Sequence, residues 1–141
     1  DPGFKLVREC LREGLKIVSI PGACSPIAAL TSSGLPTDKF IFLGFLPNKT
    51  GDRTRLLEKV KLSTEILSST VIFFESPFRL IKSLEDMRTV FGDIEVVICR
   101  ELTKIYEETQ KQKISEFLEK YKAKQPKGEF VILFNCKESP C

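Results

Sequence analysis

An α/β or mixed α+β fold is predicted from three observations. Short apolar runs that read as strands alternate with segments of helical apolar spacing. Gly, Pro and Ser sit at the junctions between them. The chain has 141 residues, 42% hydrophobic and 29% charged, which suits a globular protein with a sizeable core.

Pro2 suits the first turn of a helix with Val7, Cys10 and Leu11 as its apolar stripe and Gly14 as its stop. Lys16 to Ile20 reads as a short strand ending at Pro21-Gly22. Ser25 is placed to cap the next helix, with Pro26 at its first position, Ile27, Leu30 and Thr31 along it, and Gly34 at its end. Leu35-Pro36 follows as a hinge. FIFLGFLP (40 to 47) is a buried strand running into a loop, and Leu56, Leu57 and Val60 give the next stretch helical spacing. TVIFFES (70 to 76) is a strand, after which Ser76-Pro77 starts a helix with Leu80, Ile81, Leu84, Met87 and Phe91 on one side and Gly92 at its end. A strand at Glu95 to Cys99, an extended Glu107 to Lys113 and a short helix with Ile114, Phe117, Leu118 and Tyr121 come next. GEFVILFN (128 to 135) closes the fold as a buried strand. The first block has one strand between two helices, with no obvious partner, so it is expected to be the tail of a larger domain. The start at Asp1, with Met87 the only methionine, points the same way.

Histidine is absent, which excludes a Ser-His-Asp triad, a His-activated Cys and a His-rich zinc site within this chain. There is no GxxxxGK[ST] phosphate loop and no GxGxxG fingerprint. The net charge of +3 is modest, but Lys49 to Lys61 holds five basic and two acidic residues, and Lys111 to Lys127 six and two. Either stretch is a solvated face or a surface for phosphates. Of Cys10, Cys24, Cys99, Cys136 and Cys141, the first, third and fourth sit in apolar surroundings and read as buried hydrophobes. With no CxxC pair, secretory signal or membrane-length run, a reducing cytoplasm is expected.

Two kinds of sites suggest chemistry. IPGACSP joins a strand to a helix start, where anionic or polar ligands bind, although a plain turn explains it too. Cys24 there reads as a small lining residue rather than a nucleophile. FFESPFR and ICRELTKIYEE put Glu75, Arg79, Arg100 and Glu101 at strand ends, either as a site or as a structural salt-bridge set. GFLPNKTGDRTR offers a turn and an arginine-rich helix start, read as a nucleic-acid contact or a solvated loop.

IPGACSPIAAL, SGLPTDKFIFLGFLPNK, FFESPFRL, RELTKIYEE and KGEFVILF follow the opening DPG in order with short gaps. Together they resemble the tetrapyrrole methylase-like family of S-adenosylmethionine-dependent methyltransferases. The nearest branch methylates a cytidine ribose 2′-OH in 16S rRNA. The resemblance implies the end of an N-terminal α/β domain over residues 1–36 and a C-terminal mixed-sheet α+β domain over 37–141, with the donor bound between two domains. The family's opening N-terminal motifs are missing, so the chain alone is expected to be inactive. By position, the resemblance puts Ala23, Cys24, Ser25, Phe74, Leu102, Gly128 and Glu129 in the S-adenosylmethionine pocket. Lys49, Arg53, Arg55, Arg79, Arg100 and Lys104 are expected to face RNA, and Glu75 or Glu101 to assist proton removal. Phe78 stands where the family usually has His. A small-subunit RNA partner, a homodimer, a cytoplasmic location and the absence of metal and membrane complete the expectation. The rival readings are a methylase acting on a corrin or porphyrin, and a non-catalytic RNA-binding module.

Overall fold

The computed structural model describes residues 3–137. Helix α1 (Gly3–Arg12) comes first, then an irregular run, then α2 (Ser25–Ser32). A five-stranded sheet follows: β1 (Phe40–Phe45), β2 (Thr70–Glu75), β3 (Glu95–Arg100), β4 (Glu108–Lys113) and β5 (Phe130–Phe134). Helices α3 (Thr50–Ile66), α4 (Leu80–Phe91) and α5 (Ile114–Ala123) connect them. The spatial order is β1-β2-β5-β3-β4. β1 and β2 are parallel, while β5 runs antiparallel to both β2 and β3, and β4 antiparallel to β3. The sheet is mixed, as the resemblance implied.

Strand alternation sorts the core into two layers. Val71, Phe73, Val96, Ile98, Ile132 and Phe134 face α3, α4 and α5, meeting Leu57, Leu84, Met87 and Phe117. Ile72, Val97, Cys99, Val131 and Leu133 face the other way, against Ala29, Leu30 and Leu35. Helix α2 therefore packs on the sheet of 37–141, although it falls within the block expected to end another domain. All five residues of β5 are buried, which explains the unbroken apolar run. Edge strand β4, ETQKQK, alternates half-buried with exposed residues.

Several local expectations are corrected. Lys16 to Ile20 forms no strand; Leu15, Ile17, Val18 and Ile20 are exposed, Ile20 at 88%. A strand needs a neighbour for its N–H and C=O groups, and none reaches this segment. No residue of α1 is buried either, although its apolar stripe forms as read. Pro2 and Cys141 lie outside the described residues. The N-cap of α2 is Cys24, one residue before the expected Ser25. Residues 77–79 form a turn, so α4 begins at Leu80 rather than at Pro77. Cys99 is buried as expected, but Cys10 is half-buried and Cys136 exposed, because β5 ends before it.

Helix α5 starts against the α4–β3 turn. Asp93 accepts the Ser115 N–H and hydroxyl, both at 2.8 Å, and these bonds hold its carboxyl below the usual range. A depressed carboxyl stabilises the fold above its ordinary value of 3.8 and loses that contribution as pH falls through the lowered one. In urea unfolding, Asp93→Ala should therefore be less stable than the parent at pH 7, with the gap closing below pH 3.8. A gap independent of pH would refute the link.

Candidate active site

β1, β2 and β3 end, and β5 begins, at the same edge of the sheet. A cavity of about 390 Å³ opens there on the α2 side. Ser25 lines it from α2, Phe45 from β1, Phe74 and Glu75 from β2, and Ser76 and Pro77 from the turn after β2. Leu102 follows β3, while Gly128, Glu129, Phe130 and Val131 lead into β5. Five residues that the resemblance assigns to the donor pocket thus come together: Ser25, Phe74, Leu102, Gly128 and Glu129. Ala23 and Cys24 do not line the cavity and lie exposed just before α2.

The sequence reading missed Phe45. The β1–β2 register shifts between Phe42 and Phe45, where Gly44 has φ +65°, so Phe45 pairs with Phe74. Their rings lie 5.5 Å apart. The signal was Gly44 inside an apolar run, which marks a bulge.

A carboxylate shapes the opposite wall. Glu101 has φ +51°, and its Oε1 accepts the Glu129 N–H at 2.8 Å and the Lys104 ammonium at 3.1 Å. Its own N–H donates to Glu129 O at 2.9 Å. The Glu129 N–H and then Lys104 keep the Glu101 carboxyl below its ordinary value. Gly128, at φ +101°, lies so close that a Cβ would come within 2.7 Å of Glu101 Cγ. Lys104 also pairs with Glu129 at 3.0 Å, so it ties the turn together while staying exposed.

Glu75 is committed to the fold. It is buried; Oε1 accepts the Ser76 N–H at 2.8 Å and Oε2 accepts the Ser83 hydroxyl. Arg79 Nη2 lies 3.4 Å from Oε2, and Nε lies 3.2 Å from Oε1 without hydrogen-bond alignment. Arg79 also donates to Asn48 Oδ1 and Leu46 O. Ser83 was not anticipated because it belongs to α4, eight residues on.

The RNA-facing expectation for Arg53 is corrected. Arg53 is 2% exposed, with Nε 2.6 Å from Asp86 and Nη1 3.1 Å from the carbonyls of Pro47 and Asn48. A buried guanidinium needs such partners, and here they fix the loop after β1. Lys49 and Arg55 remain exposed, Arg55 3.6 Å from Asp52. Arg100 donates Nε to Lys127 O at 2.6 Å and lies 3.8 Å from Glu108. No group of three or more His, Cys, Asp or Glu among the described residues could hold a metal. No helix among them is long and apolar enough to cross a membrane.

Residues 1–118 match the family model described as Tetrapyrrole (Corrin/Porphyrin) Methylases. A protein named Ribosomal RNA small subunit methyltransferase I, from Thermotoga maritima, is 41% identical over 98% of this chain and 60% of its own length. One of the same name from Rickettsia prowazekii is 46% identical over 96% and 47%. Uroporphyrin-III C-methyl transferase from Thermus thermophilus, complexed with S-adenyl homocysteine, superposes with a TM-score of 0.53 at 17% identity, over 93% of this chain and 58% of that one. The chain spans about half the length of the curated relatives it matches.

Two substitutions check these packing roles. Arg53→Ala strands Asp86 and should cost about 3 kcal/mol in denaturant unfolding; an unchanged midpoint would refute the buried pair. Gly128→Ala forces Cβ onto Glu101 and should cost about 1–3 kcal/mol. Full stability in that variant would mean the turn is not held as described.

Proposed function

The chain belongs to the tetrapyrrole (corrin/porphyrin) methylase family, and from that membership we propose that it is part of a methyltransferase acting on a ribose 2′-OH of 16S rRNA, with S-adenosylmethionine as donor. The observation that carries the reading is the strand-end cavity that gathers Ser25, Phe74, Leu102, Gly128 and Glu129. Its volume lies within the range of about 300–1,000 Å³ usual for ligand pockets. Its walls suit the donor: Phe45, Phe74 and Leu102 offer apolar and aromatic faces to a flat base and a sulfonium. The RNA substrate is supported by the names of the curated relatives.

When bound, S-adenosylmethionine supplies an electrophilic methyl group that a ribose oxygen takes while giving up its proton. The protein's part is to position and to exclude water. Glu75 is a positioning residue, since both its oxygens are engaged. Glu101 is the proposed proton acceptor: its Oε1 holds the Glu129 N–H, which sets the carboxylate beside the turn that lines the cavity. Of residues 1–36, α2 and Leu35 pack on the sheet of 37–141, and the stretch before α2 is proposed to belong to a second domain that would cover the exposed apolar residues of α1 and of 15–20. Exposed Phe40 and Phe42 on open edge β1 support a homodimer. The setting is cytoplasmic.

Calorimetric titration tests the reading, with S-adenosylmethionine added to this chain and to a version extended by the N-terminal part of the Thermotoga maritima relative. Binding by the extended chain is expected, and binding by neither would refute it. A Soret shift on adding a porphyrin, with no methyl transfer to small-subunit RNA, would favour a tetrapyrrole substrate. In the extended enzyme Glu101→Gln should lower kcat about a hundredfold with little change in donor affinity. Unchanged kcat would remove Glu101 as the acceptor.

A further inference from the structure

A second cavity, of about 550 Å³, opens at the same end of the sheet on the α5 side. The proposed donor site does not use it. Arg100, Lys120, Lys124 and Lys127 line it together with Glu108 and Tyr121. Four cations there face one carboxylate, an excess equal to the +3 of the whole chain.

The wall is tied internally. Glu108 lies 3.0 Å from the Lys120 ammonium and 3.8 Å from the Arg100 guanidinium. Arg100 in turn donates to Lys127 O, and Lys120 sits 5.5 Å above the Tyr121 ring. Tyr121 is buried, its hydroxyl pushed up to about 12 chiefly by burial, so it stays neutral. Lys124 and Lys127 are exposed and have no acidic partner among the described residues. Two unpaired ammoniums beside a fixed cationic wall concentrate positive potential in a concave site. Position then selects the ligand. Lys127 lines this cavity while its neighbour Gly128 lines the other, and Tyr121 packs on Phe130, 5.9 Å away, which belongs to the donor cavity wall.

We propose that this cleft holds the phosphate backbone of the RNA strand adjoining the nucleotide presented to the donor cavity. Lys124 and Lys127 make the contacts, and Arg100 and Lys120 form the fixed wall. Phosphate contacts of this kind set register and orientation rather than sequence. The inference rests on the RNA reading above.

Fluorescence anisotropy of a labelled single-stranded RNA, titrated with this chain across a salt series, tests it. Lys124→Ala/Lys127→Ala should weaken binding about tenfold and flatten the slope of log K against log salt by about 1.4. Lys39→Ala/Lys82→Ala removes the same charge from exposed positions that do not line the cleft and should change neither. Inorganic pyrophosphate at constant ionic strength should leave the RNA bound. Equal loss in both double variants would reduce the effect to net charge and overturn the proposal. Complete displacement by pyrophosphate would make the cleft a small-phosphate pocket and overturn it too. Undiminished binding by the Lys124/Lys127 variant would refute the cleft and leave the RNA reading standing. No RNA binding by the parent would overturn both.

Discussion

Insertion of β5 between β2 and β3, antiparallel to each, is the constraint on which the rest of the structure depends. It sets the start of β5 beside the ends of β2 and β3, so the Lys127–Glu129 turn meets Glu75 on one side and Arg100 on the other. Both cavities follow from that meeting. The insertion also makes the last strand in sequence the central one in space, so β2 and β3 gain their shared neighbour only when residues 130–134 are in place. Such non-local pairing slows folding and binds the site to completion of the whole sheet.

Charged groups at the strand ends divide by burial. Glu75 and Arg53 are enclosed and spend their hydrogen-bonding capacity inside the protein, where a missing partner would leave a costly unpaired charge. Glu101 and Lys104 are less enclosed, and they fix the turn at Gly128 while still bordering solvent. Lys124 and Lys127 are outermost and pair with nothing acidic among the described residues. The gradient runs from structural anchors, through positioning groups, to groups available for a polyanion. It explains how one edge of the sheet carries so many charges and still folds.

Elements whose signal is local were legible in the sequence. Unbroken apolar runs marked β2 and β5, and helical spacing marked α3, α4 and α5, because burial against the sheet dictates those periods. Lys16 to Ile20 carries the same local signal and forms no strand, since pairing depends on a neighbour that the local sequence does not encode. Arg53 misled for a related reason. Its neighbours Asp52 and Arg55 are exposed, and its burial is decided by Asp86, 33 residues away. Within the candidate site, Ser25, Phe74, Leu102, Gly128 and Glu129 were reached through motif resemblance, whereas Phe45 needed the bulge and Lys120 and Lys124 needed the placement of α5. Resemblance carries positions tied to a shared backbone; side chains brought together by this sheet become visible only in three dimensions.

The central claim is that one strand-end cavity receives the methyl donor. Backbone amide NMR of the isotope-labelled chain, extended as above and titrated with S-adenosylhomocysteine, tests it most directly. Shifts concentrated at Ser25, Phe74, Leu102, Gly128 and Glu129, with those of Lys124 and Lys127 small, are expected. Shifts confined to other surfaces, or none at saturating ligand, would contradict it.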